Sequence, residues 1–540
     1  MFVQVIKSKT GGKTYASHLV RESYRTEKGP RHRTIANITG LPESVREMIA
    51  AALKSGCSLV DSDALGLSDA LDFGGLAVLH DAWERFHLDR ILGDIPDAQA
   101  KARLKAMVFG RILFPGSKLS LQTVSAGTAL AASCGLERKD LREDLLYDAM
   151  DALNGNWVSI EKGLYREAMP SGAMLVLYDL TSTYFEGRSP DKMGRYGYSR
   201  DHRDDRKQVI LAVATDVSGI PIHMEVLKGN RADNSTLRPL LENLKRRFGL
   251  KKAIFVFDGG MSSSLNLEQM KTEEMDYVTR LSSSTLQALI KELPQDNQPE
   301  LWDRDQLVEL EIDGVRYVVA GSEFRRQRDQ ERRSVRIAKG IDALTRMAAV
   351  SRKKVDAQKL SSQAGRRLLT LKAHKYFEYC VNSAGKLEWN LKSGVAEQES
   401  RLDGWYVLST SITAKAAEKE FIFKCYRNLL EVESAFRQIK TYLKMRPVFH
   451  YRPDRVRNHI RICFLAYWIS ARLGTEWLAC GETREVPLIL TELQQIRIGK
   501  LRLGKKPVRT LITDIPQKIH KMLEKLKIGR LFNTPPKWAM

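Results

Sequence analysis

Nowhere in the 540 residues does an apolar run approach the roughly 18 needed to span a membrane. The opening, MFVQVIKSKTGG, lacks the long apolar core of a secretory signal. Cysteine is sparse and scattered: Cys57, Cys134, Cys380, Cys425, Cys463 and Cys480 form no Cys-x-x-Cys pair and no Cys/His cluster. That spacing argues against a disulfide frame and a zinc site, and predicts reduced thiols in a cytoplasmic protein. Acidic residues are also few: 65 Asp and Glu stand against 87 Lys and Arg, a formal charge of +22. The excess is concentrated. Residues 324–375 hold 16 Lys/Arg against 4 Asp/Glu, and residues 496–530 hold 11 against 2. These stretches account for 21 of the 22 charges, so the remainder is near neutral. Concentrated positive charge points to a polyanionic partner, most often nucleic acid.

A chain of this length exceeds one core, and its patterning divides it into six stretches. Residues 1–60 form a small β/α segment. In it FVQVIKSK and KTYASHLVRESYR flank a turn at Gly11-Gly12, HRTIANITGL is a third strand, and a helix spans 42–54. Residues 61–168 read as helical; with Arg103, Lys105, Arg111 and Lys118 they make a DNA-reading domain or a plain bundle. Residues 169–282 read as α/β. MLVLYD is a buried strand ending in Asp179, and VILAVATD and IPIHMEVL form a hairpin. STLRPLLENLKRRFG is a helix, AIFVFD a strand ending in Asp258, and DYVTRL a further strand. Residues 283–401 read as a basic, β-rich insertion. It has hairpins at Asp313-Gly314 and at 376–392, and a basic helical run between them. The sheet resumes in 402–475 with DGWYVLST, and 476–540 reads as a basic helical tail.

The stretch YRNLLEVESAFRQIKTYLKMRPVFH (426–450) is predicted to be one amphipathic helix broken at Pro447. Its predicted inward face is Leu429, Glu433, Phe436, Lys440 and Leu443, so two charges face inward. Burying unpaired charges costs several kcal/mol, roughly, unless a partner or metal neutralises them. Two strand-end aspartates offer a reason. Asp179, Asp258 and Glu433 meeting at one point form an oxygen-rich set suited to Mg²⁺ or Mn²⁺. Two such ions would serve in-line displacement at phosphorus. Each residue also has an ordinary reading. Asp258 before Gly259-Gly260 fits a turn, and Glu433 can pair with Arg437 at i+4. Glu431, about 200° round the helix, is expected in solvent. Glu186, Asp201, Asp204 and Asp205 rank lower because their surroundings read as solvated. Trp302 and Trp389 in the insertion are candidates for base stacking or for core.

These segments resemble the DDE transposases of bacterial insertion sequences, in the group with a Tyr-Arg-Glu-Lys signature. The likeness rests on YDLTSTYFEG, GYSRDHRDDRKQVILAVATD, GIPIHMEVLKGNRADNSTL, IFVFDGGMSS and the stretch from Tyr426 to about residue 466. It implies an RNase H-like mixed sheet flanked by helices, interrupted by a β-rich insertion before the last catalytic helix. It implies Asp179, Asp258 and Glu433 as catalytic and metal-binding acids, with two Mg²⁺ or Mn²⁺ ions. Tyr426 and Lys440 match the signature and would contact DNA phosphates; Leu429 stands where the signature has Arg. Arg437 lies close by, and Arg446, His450 and Arg452 are candidates for further DNA contacts. The implied partners are the double-stranded DNA of element ends and target, held by a homodimer or larger complex. The implied location is the bacterial cytoplasm, with the protein on the nucleoid when bound. The expected reaction is cleavage of the element ends and joining of the 3′-hydroxyl to target DNA. A catalytically silent, transposase-derived DNA-binding regulator is the alternative.

Overall fold

A computed structural model describes residues 1–27, 29–56, 65–172, 174–250, 252–291, 307–349, 356–503 and 506–539. The chain opens with an antiparallel three-stranded sheet, β1 (Phe2–Thr10), β2 (Lys13–Thr26) and β3 (Gly29–Asn37), followed by the helix Glu43–Ser55. Gly11 and Gly12 both take positive φ in the β1–β2 turn, where glycine is strain-free. Strand β4 (Leu65–Asp72) comes next. Helices then occupy most of 74–168, the longest being Ala98–Leu113, capped by the Asp97 side chain on the Gln99 N–H.

The central sheet is built from β5 (Leu175–Tyr184), β6 (Gln208–Thr215), β7 (Pro221–Lys228), β8 (Ile254–Phe257) and β9 (Asp276–Arg280). Strands β5, β8 and β9 run parallel, and β6 is antiparallel to both β5 and β7. The spatial order β7-β6-β5-β8-β9 is a mixed, RNase H-like arrangement. The apolar runs behind it are explained by burial: all eight residues of β6 are buried.

The hairpin of β10 (Val308–Ile312) and β11 (Val315–Ala320) turns at Asp313-Gly314, as expected, but belongs to this sheet and not to a separate unit. Residues 323–370 are mostly two helices, Glu323–Ala349 and Ala357–Thr370. The second expected hairpin, β12 (Phe377–Val381) with β13 (Leu387–Leu391), packs on these helices around a small core of Leu344, Leu368 and Phe377. Trp389 sits edge-on to Phe377, 5.8 Å between ring centres, and so is packing for this core; Trp302 lies outside the described residues. Strand β14 (Tyr406–Thr410) then enters between β9 and β11 and completes eight strands.

Two readings need correction at the ends of the helical regions. The tail after 476 is not wholly helical: β15 (Arg497–Leu503) and β16 (Lys506–Ile512) form a hairpin between its helices. Strand β15 also pairs with β4, so the 61–168 region opens with a strand whose partner lies more than 400 residues away. Local patterning cannot reveal such a pairing. Lys105, Arg111 and Lys118, offered as DNA readers, are buried, because the helix carrying the first two packs against the helix Pro453–Ala479.

The segment 195–208 is tied down across the edge of the sheet. Arg195 and Gln208 exchange backbone hydrogen bonds of 3.1 and 2.9 Å, and the Arg200 N–H donates to Ser182 Oγ on β5. Gly229 lies against this crossing: a Cβ there would stand 2.0 Å from Gln208 O and 2.6 Å from Arg195 O. Both neighbours are backbone and cannot turn aside. Gly229→Ala is therefore expected to destabilise the protein by about 1–3 kcal/mol, read from a urea unfolding midpoint.

Candidate active site

Tyr178 on β5 is the register partner of Phe257 on the parallel strand β8. The next residues are Asp179 and Asp258, so the two aspartates stand side by side on strands about 4.8 Å apart. Strand β5 does not stop at Asp179, as the apolar run implied, but continues to Tyr184. Asp179 is thus held mid-strand, while Asp258 leaves the sheet into the Gly259–Met261 turn. Gly259 is needed there, since a Cβ would lie 2.4 Å from Arg280 O on β9.

The glutamate comes from the helix Leu429–Arg437, which packs on β5. The single long helix expected from 426 is in fact three pieces. Lys419–Arg427 and Leu429–Arg437 meet at Asn428, and a π turn over Gln438–Tyr442 ends the run before Pro447. The buried stripe is Leu429, Val432, Ala435, Phe436, Ile439, Lys440 and Leu443. It is centred between Val432 and Phe436, which leaves Glu433 about 80° off centre. Glu433 is exposed, contrary to the inward placement expected. It sits at the margin of the stripe, close enough to Asp179 to raise that carboxyl. Glu431 is on the other flank, beside Gly219 and Tyr467. Leu429 is 8% exposed and packed in the core, which accounts for an apolar residue at that position.

Burial is the main influence on Asp179 and pushes its carboxyl up to about 7. The Leu180 N–H donates to it at 2.7 Å, and Arg200 also opposes the shift; Asp258 and Glu433 reinforce it. Arg280, at the end of β9, pairs with Asp258 at 3.3 Å. Arg200 donates at 2.6 Å to Asp233, whose carboxylate lies near Gly260. Two arginines therefore stand among the acids. Tyr426 feels the same groups: burial pushes its phenol up to about 12, with Arg280 opposing and Asp258 adding.

The donor set is all carboxylate oxygen, which suits a hard divalent cation in kind. Two of the donors are adjacent and one is disfavoured as a bare charge, as expected of a place that a cation would relieve. Among the described residues, no three of His, Cys, Asp or Glu close into a metal-holding group.

The other predicted site residues go elsewhere. Lys440 is buried and donates to Asp201 Oδ1 at 2.8 Å, and Arg446 donates to the same oxygen. Burial lowers the Lys440 ammonium, and Asp201 pulls against that. Asp201 was ranked among solvated acids, yet its side chain is only 3% exposed. His450 contacts Lys118, and Arg437 and Arg452 are exposed, Arg437 donating to Ser434. Arg200 and Arg280 carry no role in the sequence reading. Arg280 had a usable signal: it ends the strand next to the one delivering Asp258.

A transposase DDE domain model matches residues 172–469, more than half the chain and all of the elements just described. The chain belongs to the DDE transposase family. An N-terminal domain model of the IS1634 family of transposases matches residues 3–59, the three-stranded sheet and its helix. Together they make this a bacterial insertion-sequence DDE transposase. Among solved structures, a piggyBac transposase synaptic complex with hairpin DNA aligns at 9% identity and a TM-score of 0.39. The alignment covers 74% of this chain and 70% of that one. No curated protein matches the transposase. Among its described residues, no helix is long and apolar enough to cross a membrane.

Proposed function

We propose that this transposase cuts DNA at the ends of its insertion sequence and joins the freed 3′-hydroxyl to target DNA, using Asp179, Asp258 and Glu433. The observation that carries the proposal is the register of β5 and β8, which sets Asp179 beside Asp258 with Glu433 approaching from the helix on β5. These three carboxylates would hold one or two Mg²⁺ or Mn²⁺ ions, which when bound activate the attacking oxygen and stabilise the leaving one. The chain's own residues do the rest. Asp179, fixed mid-strand by its neighbours and the Leu180 N–H, is the rigid point of the site. Asp258 gives up Arg280 when the site is loaded, freeing that guanidinium to face a phosphate. Tyr426, Lys440, Arg437, Arg446, His450 and Arg452 are the proposed DNA contacts. Lys440 and Arg446 would turn from Asp201 toward the backbone. DNA in duplex form is the proposed partner, bound by a homodimer or larger assembly that holds both ends.

The test is Mg²⁺-dependent nicking of the DNA that bounds the protein's own gene. Wild type is expected to nick and to stop when the metal is chelated. Glu433→Gln is expected to bind the same DNA and to nick at least about 100-fold more slowly, the scale of losing one metal-directed carboxylate. Equal rates for Glu433→Gln and wild type would remove Glu433 from the site. Binding without cutting by the wild type would favour a silent regulator.

A further inference from the structure

The loop that follows the glutamate helix closes over the 61–168 helices and leaves a cavity of 220 Å³, several times the ~30 Å³ share of one water. Its lining includes Arg111, Lys118, Arg446, His450 and His459, and no Asp or Glu. Lys118 is 6% exposed and makes no ion pair among the described residues; its ammonium hydrogen-bonds His450 Nε2 at 3.1 Å. His459 is 6% exposed, and its Nδ1 is buried with no hydrogen-bond partner. Arg111 is spent on backbone carbonyls, donating to Leu443 O at 3.3 Å. The Tyr147 ring lies between Arg455 at 4.6 Å and Lys118 at 5.9 Å, so another cation backs the cavity. Arg455 is itself neutralised by Asp151 at 3.1 Å, and Glu143 acts on Lys118 only through its field. At the mouth, Phe449 is 69% exposed.

A buried cation without a carboxylate, beside an imidazole with one nitrogen unpartnered, is destabilising unless an anion arrives. We propose that this cavity seats one backbone phosphate of bound DNA, with Lys118 as its principal cation and Phe449 at its entrance. The inference rests on the strand-transfer reading above, and it adds a contact from the helical region to those from the catalytic core. Burial and the neighbouring Arg111 hold the Lys118 ammonium down at about 7. An anion in the cavity reverses that. The loop that carries the seat begins at Leu443, directly after the π turn that holds Lys440. A phosphate in it would therefore register the DNA against the catalytic helix.

The test uses the full chain, short duplex DNA and, separately, inorganic phosphate. For Lys118→Met, the slope of log affinity against log salt is expected to fall by about 0.9, the share of one duplex phosphate, while Lys118→Arg keeps the wild-type slope. Millimolar phosphate, against chloride at equal ionic strength, is expected to raise the thermal midpoint of wild type and not of Lys118→Met. An unchanged slope for Lys118→Met overturns the proposal. So does an equal loss of affinity at every salt concentration, which marks a merely structural role. Phosphate protection with no change in slope overturns the DNA assignment and leaves a free-anion site. A wild type that binds DNA with the expected slope change but never nicks overturns the catalytic reading alone, because the slope reports binding.

Discussion

Asp179→Asn is expected to stop DNA cutting and to make the folded protein more stable. Loss of a carboxylate that would hold a metal should slow nicking by about a thousandfold or more, several kcal/mol of transition-state stabilisation. The stability change has the opposite sign to that of an ordinary damaging variant. In the folded protein the Asp179 carboxyl titrates at about 7, against an ordinary 3.8, chiefly because burial disfavours its charge. A folded value above the unfolded one means the charged form is penalised by folding. Below about pH 4 both states hold the proton and no penalty exists. It grows as the pH rises between the two values and is complete above about 7. The difference between 3.8 and about 7 corresponds to something on the order of 4 kcal/mol. Asparagine keeps the shape and removes the charge. Asp179→Asn should therefore unfold at a higher urea concentration than wild type at pH 8 and at nearly the same one at pH 4. Adding Mg²⁺ should narrow the gap at pH 8, since only wild type would offer all three proposed ligands. A variant that is less stable than wild type at pH 8, or a gap that does not change with pH, would contradict this account of the site.

The two strands that carry the aspartates were legible because each is a short, wholly apolar run ending in an acid, and little else folds that way. The same runs misplaced the end of β5. LTSTY is polar enough to look like a loop, yet Thr181, Ser182 and Thr183 are buried, and Ser182 Oγ accepts the Arg200 N–H. A hydroxyl that finds a partner from another segment is invisible to periodicity. Glu433 was found on helical spacing, but the face it was given was wrong. The π turn at Gln438–Tyr442 and the break at Asn428 are backbone events that no residue in the stretch announces. Chain-distant pairings were hidden for a simpler reason. The β4–β15 ladder joins segments more than 400 residues apart, and β4 alone has too little apolar patterning to signal a strand; that DGWYVLST rejoins the sheet is legible, but its place beside β9 is not. The acids and bases around Asp201 were hidden by their own neighbours. GYSRDHRDDRKQ looks solvated throughout, and only the fold shows that one aspartate in it is enclosed by Lys440 and Arg446.

That enclosure makes Asp201 the other position of large expected effect. Its Oδ1 accepts from both Lys440 and Arg446, and the Lys440 side chain is 9% exposed. Asp201→Ala leaves a buried ammonium with no counter-charge, and breaking one side of such a pair costs about 3–5 kcal/mol. Removing both charges should cost much less, because the cation that remains, Arg446, is 34% exposed and keeps contact with water. The double variant Asp201→Ala/Lys440→Met is therefore expected to recover most of the stability lost by Asp201→Ala. Denaturant midpoints of the two single variants and the double one measure the coupling. The double variant separates two roles of Lys440. As a structural cation, Lys440 is dispensable once Asp201 is neutral, and the folded protein should bind duplex DNA with undiminished affinity. As a phosphate contact, its loss should weaken DNA binding and lower the salt slope by about 0.9 even though the fold is restored. The proposed contact requires the second outcome. Asp201 then acts as a placeholder: in the free protein it neutralises the two cations that, in the complex, face the DNA backbone. A double variant that is stable and binds DNA as well as wild type would leave Lys440 with a purely structural job.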